Sequence, residues 1–135
     1  MYQQMIFVNL PVADLDASKK FFTELGYSIN PQFSDENTAS VVISDTIIAM
    51  LLTRQKYAQF TKKEIVDATK SSEVLLALSA ESREKVDELV EKALAAGGST
   101  AGETQDLGFM YGRSFDDLDG HTWEVAWMDP AALEG

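Results

Sequence analysis

The sequence predicts an α+β fold built from two β-α-β-β-β units. Two observations predict it. First, a pattern of strand, helix and three strands ends near residue 52 and starts again near residue 73. Second, matching features keep regular offsets: the helix-capping residues Asp14 and Ser82 lie 68 residues apart, and the glycines after the helices, Gly26 and Gly97, lie 71 apart. Such self-similarity indicates two copies of one unit, neither of which can bury its apolar face alone.

The first unit follows from its residue pattern. Residues 5–12 are apolar and β-rich and predict a strand. Asp14 is placed to cap a helix, and Gly26 lies where a glycine commonly ends one. The helix carries an apolar stripe at Leu15, Phe21, Phe22 and Leu25. After it, residues 27–33 could form a strand, residues 34–37 a turn, and residues 39–43 and 47–52 two strands.

The connector and the second unit are predicted in the same way. Residues 61–64 (TKKE) match a capping box and predict a short helix over residues 61–69. Ser82 starts a second amphipathic helix that Gly97 ends. Asp119 and Gly120 together are a hairpin-turn signal. The predicted strands of this unit cover residues 74–80, 110–115 and 121–128, with a further strand starting at residues 99–101.

The length of 135 residues suits one domain over residues 1–135, with unit one at about 5–52, a helical connector at 53–72 and unit two at about 73–130. With 45% apolar and 24% charged residues, the composition argues against disorder. The chain has no cysteine, which excludes disulfides, thiolate metal sites and cysteine nucleophiles, and it has a single histidine, His121.

The charge balance restricts the partners. Eleven basic residues stand against 22 acidic ones, which leaves a net charge of −11. Nucleic acid and anionic membranes would repel such a chain, so neither is predicted as a partner. No signal peptide or apolar run long enough to span a membrane is recognisable, so the expected location is cytoplasmic.

Four stretches resemble the vicinal oxygen chelate superfamily, namely residues 5–12 (MIFVNLPV), 12–15 (VADL), 108–115 (GFMYGRSF) and 117–124 (DLDGHTWE). This superfamily contains glyoxalase I, extradiol dioxygenases, fosfomycin-resistance enzymes and bleomycin-resistance proteins. The resemblance covers residues 5–130 and is greatest to the bacterial glyoxalase-like subgroup labelled "predicted lactoylglutathione lyase". It implies the glyoxalase/bleomycin-resistance fold, in which two βαβββ units form a cup-shaped mixed sheet, within one chain or by exchange between chains.

The resemblance also implies where a metal would lie, because metal-using members carry a ligand on the first and fourth strands of each unit. These four positions fall on Phe7, Met50, Leu75 and Glu124. Three of them are apolar, and transition metals need nitrogen, oxygen or sulfur donors. His121 lies three residues before Glu124, so strand alternation turns it to the other face. We therefore expect no metal and no cofactor.

Glu124 is the principal candidate for function, as a catalytic or ligand-binding carboxylate on a cup floor lined by Phe7, Met50 and Leu75. Such surroundings would disfavour its charged form and suit it to general-base work or to binding a cation. Alternatively, it is a vestigial or arginine-paired carboxylate with a packing role.

Three polar residues are further candidates for ligand binding. Tyr111 and Arg113 lie two apart and share a face, which we expect to be the cup, where Arg113 could hold an anionic group or pair with Glu124. The alternative is that they face outward or join the core. Asn9 shares a face with Phe7, and it either reaches a ligand or bonds neighbouring backbone.

Two functions remain open at this point. The first is metal-free capture of a small organic molecule, as in bleomycin-resistance proteins. The second is a glyoxalase-like lyase, isomerase or dioxygenase-related enzyme that uses Glu124 as a base or in an atypical metal site. The resemblance also implies a homodimer, because a partner chain usually completes the open edges and faces of the units in this superfamily, and a bare sheet edge invites pairing.

Overall fold

The computed structural model describes residues 1–133, and the chain divides into two compact units at residues 66 and 67. Unit one contains β1 (Ile6–Val12), α1 (Leu15–Glu24), β2 (Ser28–Ile29), a 3-10 helix (Pro31–Phe33), β3 (Thr38–Val42), β4 (Ile47–Thr53) and α2 (Arg54–Tyr57). Its sheet has the order β1-β4-β3-β2, in which β1 and β4 are parallel and the other pairs antiparallel.

Unit two contains β5 (Leu75–Ser79), α3 (Arg83–Ala95), β6 (Ser99–Thr100), β7 (Gln105–Asp106), β8 (Met110–Asp116), β9 (Thr122–Met128) and α4 (Pro130–Leu133). Its sheet has the order β5-β9-β8-β6, and the short β7 also pairs with β8. As in unit one, the first strand runs parallel to the last long strand, and the remaining pairs are antiparallel.

Each unit has a core between its long helix and one face of its sheet. In unit one, Phe21 and Phe22 of α1 are buried with the strand residues Val41 and Leu51. In unit two, the buried residues are Val86, Val90 and Ala93 of α3 and Phe115, Trp123 and Val125 of the strands. Apolar burial of this kind is the main stabilising contribution to such a fold.

The predicted helix boundaries are confirmed by their capping bonds. The side chain of Asp14 accepts a hydrogen bond from the backbone of Ala17 at 3.0 Å, and that of Ser82 accepts one from Lys85 at 3.1 Å. Both bonds satisfy amides that have no partner inside the helix. Gly26, with φ of +107°, and Gly97, with φ of +111°, end the helices in a backbone conformation that side chains disfavour.

The strand register confirms the internal repeat. Phe7 pairs with Ile48 in unit one, and Leu75 pairs with Thr122 in unit two. Phe7 and Leu75 are 68 positions apart, the same offset as between the capping residues Asp14 and Ser82. Ile48 and Thr122 are 74 positions apart, the same offset as between Met50 and Glu124. The predicted α+β fold of two β-α-β-β-β units is therefore confirmed.

Three sequence predictions need correction here. Residues 61–69 form no helix, because the Thr61 hydroxyl accepts a bond from Lys63, two residues on, and no helical apolar stripe follows. A helix instead covers Arg54–Tyr57. The strand considered over residues 27–33 shrinks to β2, since Pro31 opens a 3-10 turn there. Strand β7, only two residues long, is absent from the sequence prediction.

No helix among residues 1–133 is both long and apolar enough to cross a membrane. The cytoplasmic location stays a prediction.

Candidate functional site

The sheet of unit two has one face covered by α3, while the described residues of this unit place no helix on the other face, which we call the open face. Residues paired in register share a face, and side chains alternate along each strand. Trp123 and Val125 are buried on the α3 side, so Glu124 between them projects from the open face. The other residues of β5, β8 and β9 on the open face are Leu75, Ala77, Ser79, Met110, Gly112, Ser114, Asp116, Thr122, Ala126 and Met128.

A depression of about 250 Å³ lies on this open face. The polar residues that line it are Glu124, Ser114, Gln105 and Arg113, together with Glu103 from the segment before β7. The Arg113 guanidinium itself binds carboxylates of α3. Small residues occupy much of the remaining floor, namely Ala77, Gly102, Gly112 and Ala126. The small side chains leave space above the sheet, so a ligand could lie against the strands beside the Glu124 carboxylate.

Glu124 therefore lies in a depression, but its surroundings differ from the sequence expectation. Its in-register neighbours are Ala77 and Ser114 rather than large apolar residues. Leu75 is on the same face, is 58% exposed and is not among the residues that line the depression. The Glu124 side chain is exposed, so the expected burial of this carboxylate does not occur within unit two.

Phe7, Asn9 and Met50 lie together in unit one. Asn9 pairs in register with Met50, and Phe7 pairs with Ile48 two residues along the same strand. The three side chains therefore share the sheet face opposite α1. Phe7 is 54% exposed, Asn9 is exposed and Met50 is half-buried. Whether they contact a ligand stays a prediction.

The expected orientation of Tyr111 and Arg113 is wrong. The Tyr111 hydroxyl donates to Asp87 Oδ1 at 2.6 Å, and Arg113 donates to Asp87 Oδ1 at 2.9 Å and to Glu91 Oε2 at 2.6 Å. Both carboxylates belong to α3, on the side of the sheet away from Glu124. The physical reason is the register: Ser114 pairs with Glu124, so its neighbour Arg113 must face the helix.

These bonds change the acidity of the groups involved. The hydrogen bond from Tyr111, followed by that from Arg113, holds the pKa of Asp87 below its ordinary value. The bond that Tyr111 donates to Asp87 also raises the pKa of the phenol. A guanidinium held by two carboxylates in this way is not available to hold an anionic ligand over Glu124. Asp87 and Glu91 lie 26 and 22 residues before Arg113, so no local sequence pattern predicts this pairing.

The β8–β9 turn contains a group of three possible metal ligands, Asp117, Asp119 and His121, whose ligand atoms lie within 4.8 Å of one another. Asp117 Oδ1 accepts from the backbone amides of Asp119 and His121, each at 3.0 Å, and its Oδ2 accepts from Trp123 Nε1 at 3.0 Å. Burial raises the pKa of Asp117. Its carboxylate thus holds the turn together, as the predicted hairpin requires.

Comparisons with known proteins agree with this architecture. A family model described as bleomycin resistance protein-like N-terminal matches residues 4–44. No curated protein matches the sequence. A hypothetical protein from S. aureus is 31% identical, with 94% of each chain covered and a TM-score of 0.77.

Two further solved structures share the fold at lower identity. A glyoxalase/bleomycin resistance protein/dioxygenase family enzyme from Burkholderia phytofirmans is 17% identical, with 93% of this chain and 99% of that chain covered and a TM-score of 0.74. A fosfomycin resistance protein from Listeria monocytogenes is 18% identical, with 94% of each chain covered and a TM-score of 0.68.

Proposed function

The chain belongs to the vicinal oxygen chelate superfamily, and from that premise we propose that it is a metal-free small-molecule-binding protein of the glyoxalase/bleomycin-resistance type. The observation that carries the proposal is the depression of about 250 Å³ on the open face of unit two, with the exposed Glu124 carboxylate in it. Small-molecule sites are usually concave and carry polar groups that orient the ligand.

The charges of the depression favour a particular class of ligand. Glu124 and Glu103 both contribute to it, whereas the Arg113 guanidinium is held by Asp87 and Glu91 on the other side of the sheet. A carboxylate accepts hydrogen bonds and attracts cations. The ligand that fits therefore presents an amine, a guanidine or another hydrogen-bond donor to Glu124, and the net charge of −11 favours its approach.

The donor set does not fit the metal of the superfamily. The residues at the four ligand positions are Phe7, Met50, Leu75 and Glu124. A phenyl ring and an isobutyl group offer no donor atom, and a thioether is a weak ligand for hard or borderline ions. One carboxylate among these four positions makes no metal centre, so no step of the proposed function passes through a metal.

A second candidate is a metal-free enzyme in which Glu124 removes a proton next to a substrate carbonyl. The position of this carboxylate in the floor of the depression, beside Ser114 and within reach of a bound ligand, favours it. A general base must lie within hydrogen-bond reach of the proton that it removes, and a ligand seated on the small floor residues would satisfy this requirement.

Titration with three probes tests the function. The probes are bleomycin, which is cationic, fosfomycin, which is anionic, and the hemithioacetal of methylglyoxal and glutathione, which is a glyoxalase substrate. We expect bleomycin to shift the amide resonances of Gly112, Glu124 and Ala126. The affinity should fall at least about tenfold in Glu124→Gln, which corresponds to the loss of one charge-assisted hydrogen bond. Glu24→Gln, which removes an exposed carboxylate of α1, is the matched control.

The outcomes separate the two candidates. Binding of bleomycin that Glu124→Gln weakens and Glu24→Gln does not supports the binding function. If the parent turns over the hemithioacetal and Glu124→Gln does not, the protein is the metal-free enzyme and the binding function is wrong. The proposal fails if none of the three probes perturbs the open face.

We also propose that the protein forms a homodimer. Strand β1 is an edge strand of one sheet, and β5 is an edge strand of the other. Both strands carry exposed apolar side chains: Ile6 and Phe7 on β1 are 56% and 54% exposed, and Leu75 on β5 is 58% exposed. Such edges readily take another strand or surface. Light scattering should give the mass of two chains at micromolar concentration, and the mass of one chain would contradict the proposal.

A further inference from the structure

Strand β7 forms one wall of the depression, although it is only two residues long. Gln105 pairs with Gly112 and Asp106 pairs with Tyr111, both on β8. Gly112 lies on the open face and Tyr111 on the α3 face, so the two residues of β7 point to opposite sides of the sheet. Gln105 accordingly lines the depression, while Asp106 lies on the α3 side.

A two-residue strand has little stability of its own, because strands of three to ten residues are the norm. All the residues from 101 to 109 are exposed, so burial does not hold this segment in place. Its links to the sheet are the backbone pairing with β8 and the bond from the Leu107 amide to the Met110 carbonyl, at 2.9 Å. Near its two ends, the Gly102 amide donates to the Ser114 hydroxyl and the Asp129 amide donates to the Phe109 carbonyl, each at 2.7 Å. A side-chain anchor on β7 itself would add to these links and keep Gln105 in position.

Arg83, the first residue of α3, provides that anchor. Its two terminal nitrogens donate to the two oxygens of Asp106, each at 2.9 Å, and Nη2 also donates to the Gly108 carbonyl at 2.9 Å. The guanidinium lies over the rings of Tyr111 and Trp127, with its carbon 5.1 and 5.2 Å from their centroids. We call this arrangement the Arg83 clamp.

The geometry of the clamp distinguishes it from an ordinary surface ion pair. Exposed pairs contribute little when the side chains are mobile, but a bidentate arginine–carboxylate pair with a fixed guanidinium is the favourable case. The rings of Tyr111 and Trp127 fix the plane of Arg83 by cation–π contact. Asp106 Oδ1 also accepts from the Gly108 amide at 3.0 Å, so the clamp fixes the turn after β7 as well.

We propose that Arg83 is a positioning residue for the binding depression: by holding Asp106 on one face of β7, it places Gln105 on the other face as a ligand-contacting amide. The inference rests on the proposed function, to which it adds a ligand contact. A glutamine amide both donates and accepts hydrogen bonds. Together with Glu124 it suits a ligand that has an amine or guanidine group next to an acceptor such as a carbonyl oxygen.

Amide hydrogen exchange tests the clamp without any ligand. The Leu107 amide reports on β7, and the amides of β8 and β9 report on the rest of the sheet. Exchange at Leu107 should accelerate about tenfold or more in Arg83→Met and in Asp106→Asn, with little change in β8 and β9, because only the local opening becomes easier. Arg83→Lys keeps the charge but loses the bidentate fork, so it should rescue the effect only in part.

Arg113→Met is the matched control for exchange, since Arg113 also joins the sheet to α3 by two ion pairs, which are made with Asp87 and Glu91 rather than with Asp106. It should leave the exchange at Leu107 unchanged relative to β8 and β9. Equal exchange at Leu107 in the parent and in Arg83→Met overturns the clamp, and so does equal acceleration by Arg113→Met.

Bleomycin titration tests the ligand contact. If the parent binds, Gln105→Ala should weaken binding about fivefold or more, and Arg83→Met should weaken it to a similar degree without changing the denaturant midpoint by a comparable amount. Unchanged affinity in both variants, with Glu124→Gln still impaired, overturns the positioning role and leaves the proposed function standing. If the parent binds none of the three probes, the proposed function and the ligand-binding role of Gln105 are both contradicted. Amide exchange at Leu107 then still tests whether Arg83 holds β7.

Discussion

Units one and two have the same strand order and pairing, but they differ in the side chains at corresponding strand positions. Phe7 and Met50 in unit one correspond to Leu75 and Glu124 in unit two, at matching register positions. Unit one thus has apolar side chains where unit two has a carboxylate in a depression. The comparison teaches that the repeated part of the sequence specifies the scaffold, whereas the chemistry lies at individual positions that the repeat leaves free to change.

The largest expected effects test whether the hydrophobic cores of the two units contribute equally to stability. Phe21 of α1 and Phe115 of β8 are each 1% exposed in the cores of their units. Phe21→Ala and Phe115→Ala should each lower the free energy of unfolding by about 3–5 kcal/mol, because each deletes a buried ring and leaves a cavity. Denaturant unfolding measures both, and a loss below about 1 kcal/mol in either variant would show that its core is not packed as described.

The helix caps test the same equivalence on a smaller scale. Asp14→Ala and Ser82→Ala remove matching side-chain bonds to the backbones of Ala17 and Lys85. Each should reduce the free energy of unfolding by about 1 kcal/mol. Asp14→Asn and Ser82→Thr keep an acceptor and should recover most of that loss, which separates capping from any general effect of substitution.

A pH titration sharpens the difference between the units, because the Arg83 clamp belongs to unit two. The hydrogen bonds from Arg83, followed by that from the Gly108 amide, lower the pKa of Asp106 from 3.8 to about 2. A folded pKa below the unfolded one means that the stabilisation is complete above about 3.8 and is lost as the pH falls through about 2. The carboxyl carbon shift of Asp106 should therefore titrate near 2 in the parent and closer to 3.8 in Arg83→Met.

The smallest expected effect concerns the stability of Glu124→Gln. If Glu124 formed a buried ion pair with Arg113, this substitution would lower the free energy of unfolding strongly. Arg113 is instead bound to Asp87 and Glu91, and Glu124 is exposed. The free energy of unfolding should therefore change by no more than about 0.5 kcal/mol. A loss of several kcal/mol in denaturant unfolding would show that Glu124 has a buried partner.

Much of the scaffold could be predicted because its signals are local. Asp14 and Ser82 indicate where the helices begin, and Gly26 and Gly97 indicate where they end. Asp119 with Gly120 predicts the hairpin turn. The failures are also local in origin. Thr61 carries a capping signal, but no apolar stripe follows it to pack a helix, and the two residues of β7 are too few to show alternation.

The candidate site was predicted only in part, and Glu124 and Arg113 show why. Alternation around Trp123 and Val125 suffices to place Glu124 on the face away from the helix. The side of Arg113 depends instead on which residue of β8 pairs with Glu124, and a register shift by one residue would reverse it. Asp87 and Glu91, which accept the hydrogen bonds of Arg113, lie 26 and 22 residues away in the sequence, so no local pattern predicts the pairing.

The sequence by itself determined the two-unit architecture, the capped helices and the apolar character of three of the four ligand positions, because periodicity, capping and donor chemistry are properties of short segments or single residues. Only the tertiary structure decided that Arg113 faces α3, that Gln105 lines the depression and that Arg83 holds the strand on which Gln105 lies. These depend on strand register and on pairs such as Arg83 and Asp106, 23 residues apart, whose meeting no local pattern encodes.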